Sequence, residues 1–307
     1  MIESLKKLHS NLISVIQGAE GSSTLLLVGL LAKGHILIQD APGLGKTTLV
    51  KALAQSVDGK FSRIQFTPDL LPSDILGYSM YNQGQQQFKY IEGPIFSNIV
   101  LADEINRTSP RVQSALLEAM NEQQVTVDGE ARKLKELFVV IATQNNLYST
   151  GTFPLPEPQL DRFLMSFRMG LPTPAIQSAI LQSHVKQAPL SKIEKVMTIN
   201  DIIKMQTEVE LVHVHKNISD YIIELSEVTR KNEKLISGVS IRGSIALMKA
   251  AQSFAYIMGR DSVFPDDVKK VIFPVFGHRL SLRNIQGKKT FGASSIIEEI
   301  LSSVRVP

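Results

Sequence analysis

A glycine-rich segment at residues 41–48 carries the residues whose chemistry is most evident in this sequence. It contains Gly43-x-Gly45-Lys46-Thr47, follows an apolar run at residues 35–39 and precedes apolar positions at helical spacing. In a strand, loop and helix arrangement, the loop amides and the helix N-terminus converge on an anion. The glycines allow close backbone approach, Lys46 brings positive charge to the outer phosphates, and the Thr47 hydroxyl can bind Mg²⁺. The segment predicts a nucleotide-phosphate site.

Position 40 departs from the full phosphate-loop pattern, G-x-x-x-x-G-K-[ST], because Asp40 stands where that pattern has glycine. Aspartate tolerates a left-handed backbone better than most residues, so we expect the loop still to form. The alternative interpretation is a glycine-rich turn that ends a strand, with Lys46 in solvent.

Two acidic residues, Asp103 and Glu104, follow four consecutive apolar residues at 99–102. Such a run favours a central parallel strand covered on both faces, and acids at its carboxyl end lie where α/β proteins place ligands. We expect Asp103 to hold Mg²⁺ and Glu104 to orient the attacking water. The alternative is a strand that ends at two solvated acids.

Asn145 and Arg242 are two further candidate site residues. Asn145 comes after the apolar run at residues 137–143, and its amide can bond both a γ-phosphate oxygen and the attacking water, or simply form a turn. Arg242 opens a predicted helix, where its charge opposes the helix dipole. An anionic partner and an ordinary surface position are both open for Arg242.

The segments that must position these residues alternate between strand and helix patterns as far as residue 169. A polar insertion at residues 80–90 predicts an exposed hairpin or loop, and the turn signal Asp128-Gly129 predicts a hairpin. Prolines at 172 and 174 mark a boundary between residues 1–172 and 173–307. The second part is helical, with helices predicted at residues 175–187, 200–210, 219–233, 241–259 and 266–276.

Composition narrows the class of protein. The 307 residues are 43% hydrophobic, which allows a sizeable core and predicts about two domains. The absence of cysteine excludes disulfides, zinc-thiolate sites and thiol nucleophiles. The longest apolar run, residues 25–32, is too short to span a membrane, so we expect a cytoplasmic protein. A net charge of only +4, with no tryptophan, makes nucleic-acid binding an unfavoured interpretation.

Several motifs together resemble the MoxR family of AAA+ ATPases. They are Gly43-x-Gly45-Lys46-Thr47, residues 103–107 (DEINR), 112–120 (VQSALLEAM), 142–145 (ATQN), 154–157 (PLPE) and 159–163 (QLDRF). Their order and spacing match this family over nearly the whole chain. The resemblance implies an AAA+ α/β/α sandwich with a five-stranded parallel sheet in residues 1–172, followed by an all-helical lid in residues 173–307.

The resemblance also implies roles for individual residues. The Walker A contacts to ATP and Mg²⁺ would come from Pro42, Gly43, Leu44, Gly45, Lys46, Thr47 and Thr48. Asp103 and Glu104 resemble Walker B, and Asn145 resembles sensor 1. Arg162 resembles the arginine finger that acts on a neighbouring subunit's nucleotide, with Arg107 as a rival, and Arg242 resembles sensor 2, acting within its chain or on a neighbour. Gly18 resembles a segment near the adenine, although Ala19 replaces the family's glutamine.

The function implied by the resemblance is ATP-driven remodelling of proteins by a homo-oligomeric ring, with a hexamer expected. The family points to partners that contain von Willebrand factor A domains, and to maturation of proteins or insertion of metal cofactors. Three alternatives stay open: a DNA-associated AAA+ motor, an ATPase subunit like that of magnesium chelatase, and a nucleotide-gated scaffold without turnover. Glu104 and Asn145 argue against a scaffold, which needs no residues to place water.

Overall fold

The computed structural model describes residues 1–40, 43–145, 151–184, 193–283 and 292–307. Its strands are β1 (Ile36–Gln39), β2 (Phe61–Gln65), β3 (Gly77–Asn82), β4 (Gln87–Glu92), β5 (Ile99–Asp103), β6 (Gln124–Val127), β7 (Glu130–Lys133), β8 (Val139–Gln144), β9 (Met165–Phe167), β10 (Leu235–Ser237) and β11 (Ser281–Leu282). Its α-helices are α1 (Glu3–Val15), α2 (Glu20–Leu31), α3 (Lys46–Ser56), α4 (Pro72–Leu76), α5 (Pro110–Glu122), α6 (Glu157–Leu160), α7 (Pro174–His184), α8 (Ile199–Glu210), α9 (Lys216–Lys231), α10 (Ile241–Ile257), α11 (Pro265–Phe276) and α12 (Ala293–Ser303).

The central sheet has five strands in the order β2-β5-β8-β1-β9, and every pair is parallel. The continuous apolar runs of β5 and β8 are buried, as a sheet covered on both faces requires. Alternate residues of each strand enter different cores: Ile36 and Ile38 of β1 face one cluster, and Leu37 faces the other. The predicted α/β/α sandwich with a five-stranded parallel sheet is confirmed.

Two hairpins form outside this sheet, the first in the insertion predicted as a hairpin or loop and the second at the predicted turn Asp128-Gly129. β3 pairs with β4 and β6 pairs with β7, each pair antiparallel. In the second hairpin, Asp128 and Gly129 have φ values of 53° and 80°, the left-handed pair that a tight two-residue turn requires. The first hairpin exposes large apolar side chains, with Phe88 73% and Tyr78 51% exposed.

The later part of the chain is helical and packs against α2. The Gln206 side chain donates to the Leu30 carbonyl at 2.7 Å, and the Ser253 hydroxyl donates to the Val28 carbonyl at 2.9 Å. These buried contacts join α8 and α10 to the same hydrophobic cluster as α1 to α3. No described helix is long and apolar enough to cross a membrane.

Two features of the helical part lie beyond the helices predicted from the sequence. β10 and β11 form a two-stranded antiparallel sheet, and α12 follows near the end of the chain. Each strand of that sheet is only two or three residues long, too short for a period-two pattern to be visible. The Lys234 ammonium group binds Glu299 of α12 at 2.6 Å, which helps to hold α12 beside this sheet.

His35 is a buried polar residue at the start of β1. Its Nδ1 accepts a hydrogen bond from the Val140 amide and its Nε2 lies 3.0 Å from the Met120 carbonyl, so the neutral ring with a proton on Nε2 satisfies both. Burial lowers the pKa of His35 from 6.5 to about 4, the bond to Met120 opposes that shift, and the charge of Arg242 adds to it. His35 therefore stays neutral in the folded protein.

This shift predicts a pH-dependent stability. Unfolded His35 takes up a proton near pH 6.5 and folded His35 only near pH 4, so the unfolded state binds more protons between these values. We expect the free energy of unfolding to be intact above pH 6.5 and to fall by up to about 3 kcal/mol as the pH drops to 4. Denaturant titration at several pH values should show a smaller fall in the free energy of unfolding for His35→Gln than for the wild type. Burial also lowers the pKa of His278, but His278 is present in both proteins and its contribution cancels in the comparison. Equal falls in the two proteins would contradict this account.

Candidate functional site

The carboxyl ends of three neighbouring strands, β5, β8 and β1, lie side by side at one edge of the sheet. The glycine-rich loop follows β1, the acidic pair stands at the end of β5, and Asn145 follows β8. Pairing continues beyond β1, since the Asp40 amide donates to the Gln144 carbonyl at 3.2 Å. The structure thus brings the predicted loop, acids and amide together at the edge where α/β proteins bind ligands.

The glycine-rich loop has the backbone that its motif predicts. Gly43 and Gly45 have φ values of +86° and +82°, a region that favours glycine. Gly45 is the N-cap of α3, so Lys46, Thr47 and Thr48 form the first turn, at the helix end that favours an anion. A β-carbon built on Gly43 would meet no described atom within 4 Å, so space is open beside the loop. These features fit a bound phosphate.

Asp40 fits the loop entry for a reason that differs from the expectation. It is not among the residues with positive φ, so tolerance of a left-handed backbone is the wrong explanation. Its carboxylate instead accepts hydrogen bonds from the amides of Met169 and Gly170, the second at 3.2 Å. Asp40 thereby ties the loop to the segment between β9 and α7. Leu44 of the loop is half-buried, and Pro42 lies outside the described residues.

The Lys46 side chain is buried in the site. Its Nζ donates to the Asp40 carbonyl at 2.7 Å. Burial lowers the pKa of Lys46 from its ordinary value of 10.5, while the charges of Asp103, Asp40 and Glu104 oppose that shift. The ammonium group therefore lies within the electrostatic field of the acidic pair.

Thr143 of β8 fixes the two acids. Its hydroxyl donates to Asp103 Oδ1 at 2.6 Å and accepts from the Glu104 amide at 2.8 Å. Glu104 has a left-handed backbone, with φ of 59°, which turns it out of the line of β5. The Asp103 side chain is 12% exposed and that of Glu104 is 25% exposed. The two carboxylates thus differ in position, as separate metal-binding and water-orienting roles require.

Two buried side-chain amides contact the backbone at Asn145 and Phe153. Asn106 Nδ2 donates to the Asn145 carbonyl at 3.1 Å, and the Asn106 carbonyl accepts from the Phe153 amide at 2.7 Å. Gln113 Nε2 lies 3.2 Å from the Ile105 carbonyl and 3.0 Å from the Phe153 carbonyl. These contacts fix the segment after the acidic pair against Asn145 and Phe153.

The oxygen donors beside the loop suit Mg²⁺. The Thr47 hydroxyl and the Asp103 carboxylate are hard ligands of the kind that this ion prefers. No cluster of three or more His, Asp or Glu residues that could form an all-protein metal site occurs in the described part of the chain. Mg²⁺ usually binds one or two carboxylates together with substrate phosphates. The donor set therefore fits an ion shared between protein and nucleotide.

Gly18 lies where the phosphate loop meets the segment that leads into α7. It has φ of +82°, and a β-carbon there would lie 3.0 Å from Ile176 Cδ1 and 3.4 Å from Pro172 Cβ. Ile16 lies against the loop, since a β-carbon on Gly45 would be 2.8 Å from its Cδ1. The position is next to the phosphate site, and contact between Gly18 and adenine stays a prediction.

Arg162 is placed at the opposite edge of the sheet. It precedes β9, which pairs parallel with β1 so that Met165 lies beside Ile36. The glycine-rich loop follows the other end of β1, roughly 10 Å away along a four-residue strand. Arg162 is therefore not beside Lys46 of its own chain.

Arg242 lies at this second edge as well. Its Nη2 donates to Asn121 Oδ1 at 2.5 Å. The adjacent Met120 carbonyl is the partner of His35, which immediately precedes β1. Within this chain the hydrogen-bond partner of Arg242 is thus a neutral amide, not the anion considered from the sequence. Lys46 lies at the other end of β1, so Arg242 is not beside it.

Arg107, the alternative to Arg162 as arginine finger, lies at the edge of the sheet that carries the glycine-rich loop. Its Nη1 donates to Glu104 Oε2 of the same chain at 3.1 Å. Arg107 and Arg162 therefore occupy opposite edges of the sheet, although the sequence offers both for one role.

Arg63, Gln65 and Thr143 contact the acidic pair but were not predicted as site residues. Arg63 contacts Asp103 Oδ2 at 2.7 Å, and Gln65 contacts Glu104 Oε2 at 3.2 Å. The signal was present in the strand pattern of residues 61–66, whose alternation puts Arg63 and Gln65 on one face. What the sequence did not reveal was that this strand is the neighbour of β5.

Family models match the two parts of the chain separately. Residues 35–165 match the model described as "ATPase family associated with various cellular activities (AAA)", and residues 227–300 match the AAA lid domain. The first range contains the glycine-rich loop, the acidic pair and Asn145, and the second contains Arg242.

Two relatives and one solved structure that are similar to this chain agree with the family models. The chain is 48% identical to YeaC of Bacillus subtilis, over 99% of this chain and 95% of that protein. It is 39% identical to Chaperone MoxR1 of Mycobacterium tuberculosis, over 95% of this chain and 80% of that protein. A crystal structure of a presumed ATPase from Cytophaga hutchinsonii superposes with a TM-score of 0.92 at 36% identity, covering 99% of this chain and 95% of that one. The chain belongs to the MoxR family of AAA+ ATPases.

Proposed function

We propose that this protein is an Mg²⁺-dependent ATPase that works as a homo-oligomeric ring, a hexamer, and remodels a partner protein. One observation carries the proposal. Lys46, Asp103 and Glu104 gather at one edge of the sheet, whereas Arg162 and Arg242 lie at the opposite edge. Two copies placed edge to edge would bring both sets of residues to one nucleotide.

The phosphates would bind the amides of the loop and the first turn of α3. Lys46 would contact the β- and γ-phosphates, and Thr47 and Asp103 would hold Mg²⁺. When bound, that ion neutralises charge on the phosphoryl group being transferred. The open space beside Gly43 supports this arrangement, because it leaves room next to the loop.

Glu104 would orient and polarise the attacking water. Its left-handed backbone directs the side chain out of β5, and its partial exposure leaves room for a water molecule. Asn145, whose carbonyl accepts from Asn106, would bond that water and a γ-phosphate oxygen. The pair would thus set the direction of attack.

The charge that develops during phosphoryl transfer needs a further cation. We assign this role to Arg162 of the neighbouring subunit, with Arg242 acting on the same nucleotide from the same neighbour. Arg107 bonds to Glu104 of its own chain, which favours a role within the subunit. An arginine supplied from a second protein chain contributes roughly 10³ to 10⁵ in rate to phosphoryl transfer.

Hydrolysis would act on a partner through the lid, residues 173–307, and the hairpins. The β3–β4 hairpin supports a protein partner, because Tyr78, Met80, Tyr81 and Phe88 are each about half exposed or more. The name of the Mycobacterium relative includes "Chaperone", which supports a remodelling role. A partner with a von Willebrand factor A domain, matured or loaded with a metal cofactor, is the form of this proposal that the family resemblance favours.

Glu104→Gln should separate binding from turnover. Because the amide cannot accept a proton from water, we expect ATPase activity to fall by about 10² to 10⁴. Stabilisation against heat by ATP should persist in Glu104→Gln and disappear in Lys46→Ala, measured by thermal shift. Normal turnover in Glu104→Gln would remove Glu104 from the proposed mechanism.

Specific ATPase activity should rise with protein concentration. If the arginine comes from a neighbour, a dissociated subunit lacks it and turns over roughly 10³-fold more slowly. Activity and mass, the latter by analytical ultracentrifugation, should increase over the same concentration range. A specific activity that stays constant while the mass changes would contradict catalysis at subunit interfaces.

The β3–β4 hairpin should be required for partner binding but not for ATP binding. In a Glu104→Gln background with ATP, we expect Phe88→Ser to weaken binding of a purified von Willebrand factor A partner by about tenfold, since a buried Phe contributes 1.5–3 kcal/mol. Ile223→Ser, at a residue of α9 that is 44% exposed, is the matched control. Equal binding by Phe88→Ser and the control, in surface plasmon resonance, would place the partner elsewhere.

A further inference from the structure

β2 presents a polar face to the acidic pair. Arg63 and Gln65 share one face of this strand, whereas Ile64 between them is buried on the other. In the parallel pairing of β2 with β5, Gln65 lies directly beside Asp103. The strand alternation thus aims two adjacent polar side chains at the end of β5.

Arg63 binds the carboxylate that is the predicted metal ligand. Its Nη2 lies 2.7 Å and its Nε 3.2 Å from Asp103 Oδ2, and Thr143 donates to the other oxygen, Oδ1, at 2.6 Å. Both oxygens of Asp103 therefore already accept hydrogen bonds. A cation that binds Asp103 must compete with the guanidinium for Oδ2.

The Arg63 side chain can turn away from Asp103 into solvent. It is 45% exposed, whereas the Asp103 side chain is 12% exposed. Because a long arginine side chain at the surface can turn into solvent at small cost, the guanidinium is a displaceable counter-ion for the fixed carboxylate.

Gln65 connects this pair to Glu104. Arg63 Nη2 also donates to Gln65 Oε1 at 2.7 Å, and Gln65 Nε2 donates to Glu104 Oε2 at 3.2 Å. The same Glu104 oxygen accepts from Arg107 Nη1 at 3.1 Å. Arg63 fixes the orientation of the Gln65 amide, so displacement of Arg63 would alter the hydrogen bond from Gln65 to Glu104.

We propose that Arg63 is a positioning residue that pairs with Asp103 when no divalent cation is bound, and that cation binding displaces it. This inference rests on the proposed function, since it concerns the same site. Arg63 would then raise the amount of Mg²⁺ needed to load the site.

The test compares nucleotide affinity with and without the metal. The probe is a fluorescent N-methylanthraniloyl derivative of AMP-PNP, titrated once with Mg²⁺ and once with EDTA. In Arg63→Gln we expect the ratio of the two dissociation constants, EDTA over Mg²⁺, to exceed that of the wild type by roughly three- to tenfold, because Mg²⁺ no longer displaces a cation. A purely structural role would change both constants together and leave the ratio unaltered.

Four further variants sharpen the result. Arg63→Lys keeps the charge and should restore a ratio near that of the wild type. Arg63→Ala also removes the charge, so it should raise the ratio as Arg63→Gln does, and it serves if Arg63→Gln does not fold. Gln65→Met breaks the link to Glu104 but leaves the Asp103 pair, so its ratio should match the wild type. Arg111→Gln alters an exposed arginine on α5 and is the matched control.

The outcomes distinguish this inference from the function on which it rests. An unchanged ratio in Arg63→Gln, with nucleotide bound normally, would overturn the role of Arg63 alone. No binding of the probe by the wild type would instead overturn the proposed nucleotide site and this inference with it.

Discussion

The parallel pairing of β8 between β1 and β5 is the constraint on which the rest of the site depends. It makes three strands end at one edge, so segments that are far apart in the sequence deliver Lys46, Asp103 and Asn145 to neighbouring positions. Thr143 then links β8 to both acids through a single hydroxyl. Without this strand order, the motifs would be separate turns without a common ligand.

The direction of the strands also divides the functional residues into two sets. Arg162 precedes β9 and Arg242 reaches Asn121, so both lie at the amino edge, while the glycine-rich loop follows the carboxyl end of β1. A parallel sheet cannot bring its two edges together within one chain. The separation is therefore the physical reason why we propose a site completed between subunits.

Much of the fold was predictable because its signals are local. Apolar runs predicted β5 and β8, Asp128-Gly129 predicted a hairpin, and the loop motif predicted the turn into α3. Asp40 was predicted to fit for its backbone, but it fits because its carboxylate binds the amides of Met169 and Gly170, a contact made across 129 residues. Arg63 was missed for the same reason, because its partner is 40 residues away and depends on strand order.

Mixing two inactive variants tests the central claim most directly. Lys46→Ala keeps the arginines but not the phosphate site, and Arg162→Ala keeps the phosphate site but not the arginine. In rings mixed in equal amounts, with co-assembly verified by native mass spectrometry, about a quarter of the interfaces would pair an intact phosphate site with an intact Arg162. We predict that ATPase activity recovers to about that fraction of the wild-type value. Mixed rings as inactive as either variant alone would contradict a site shared between subunits.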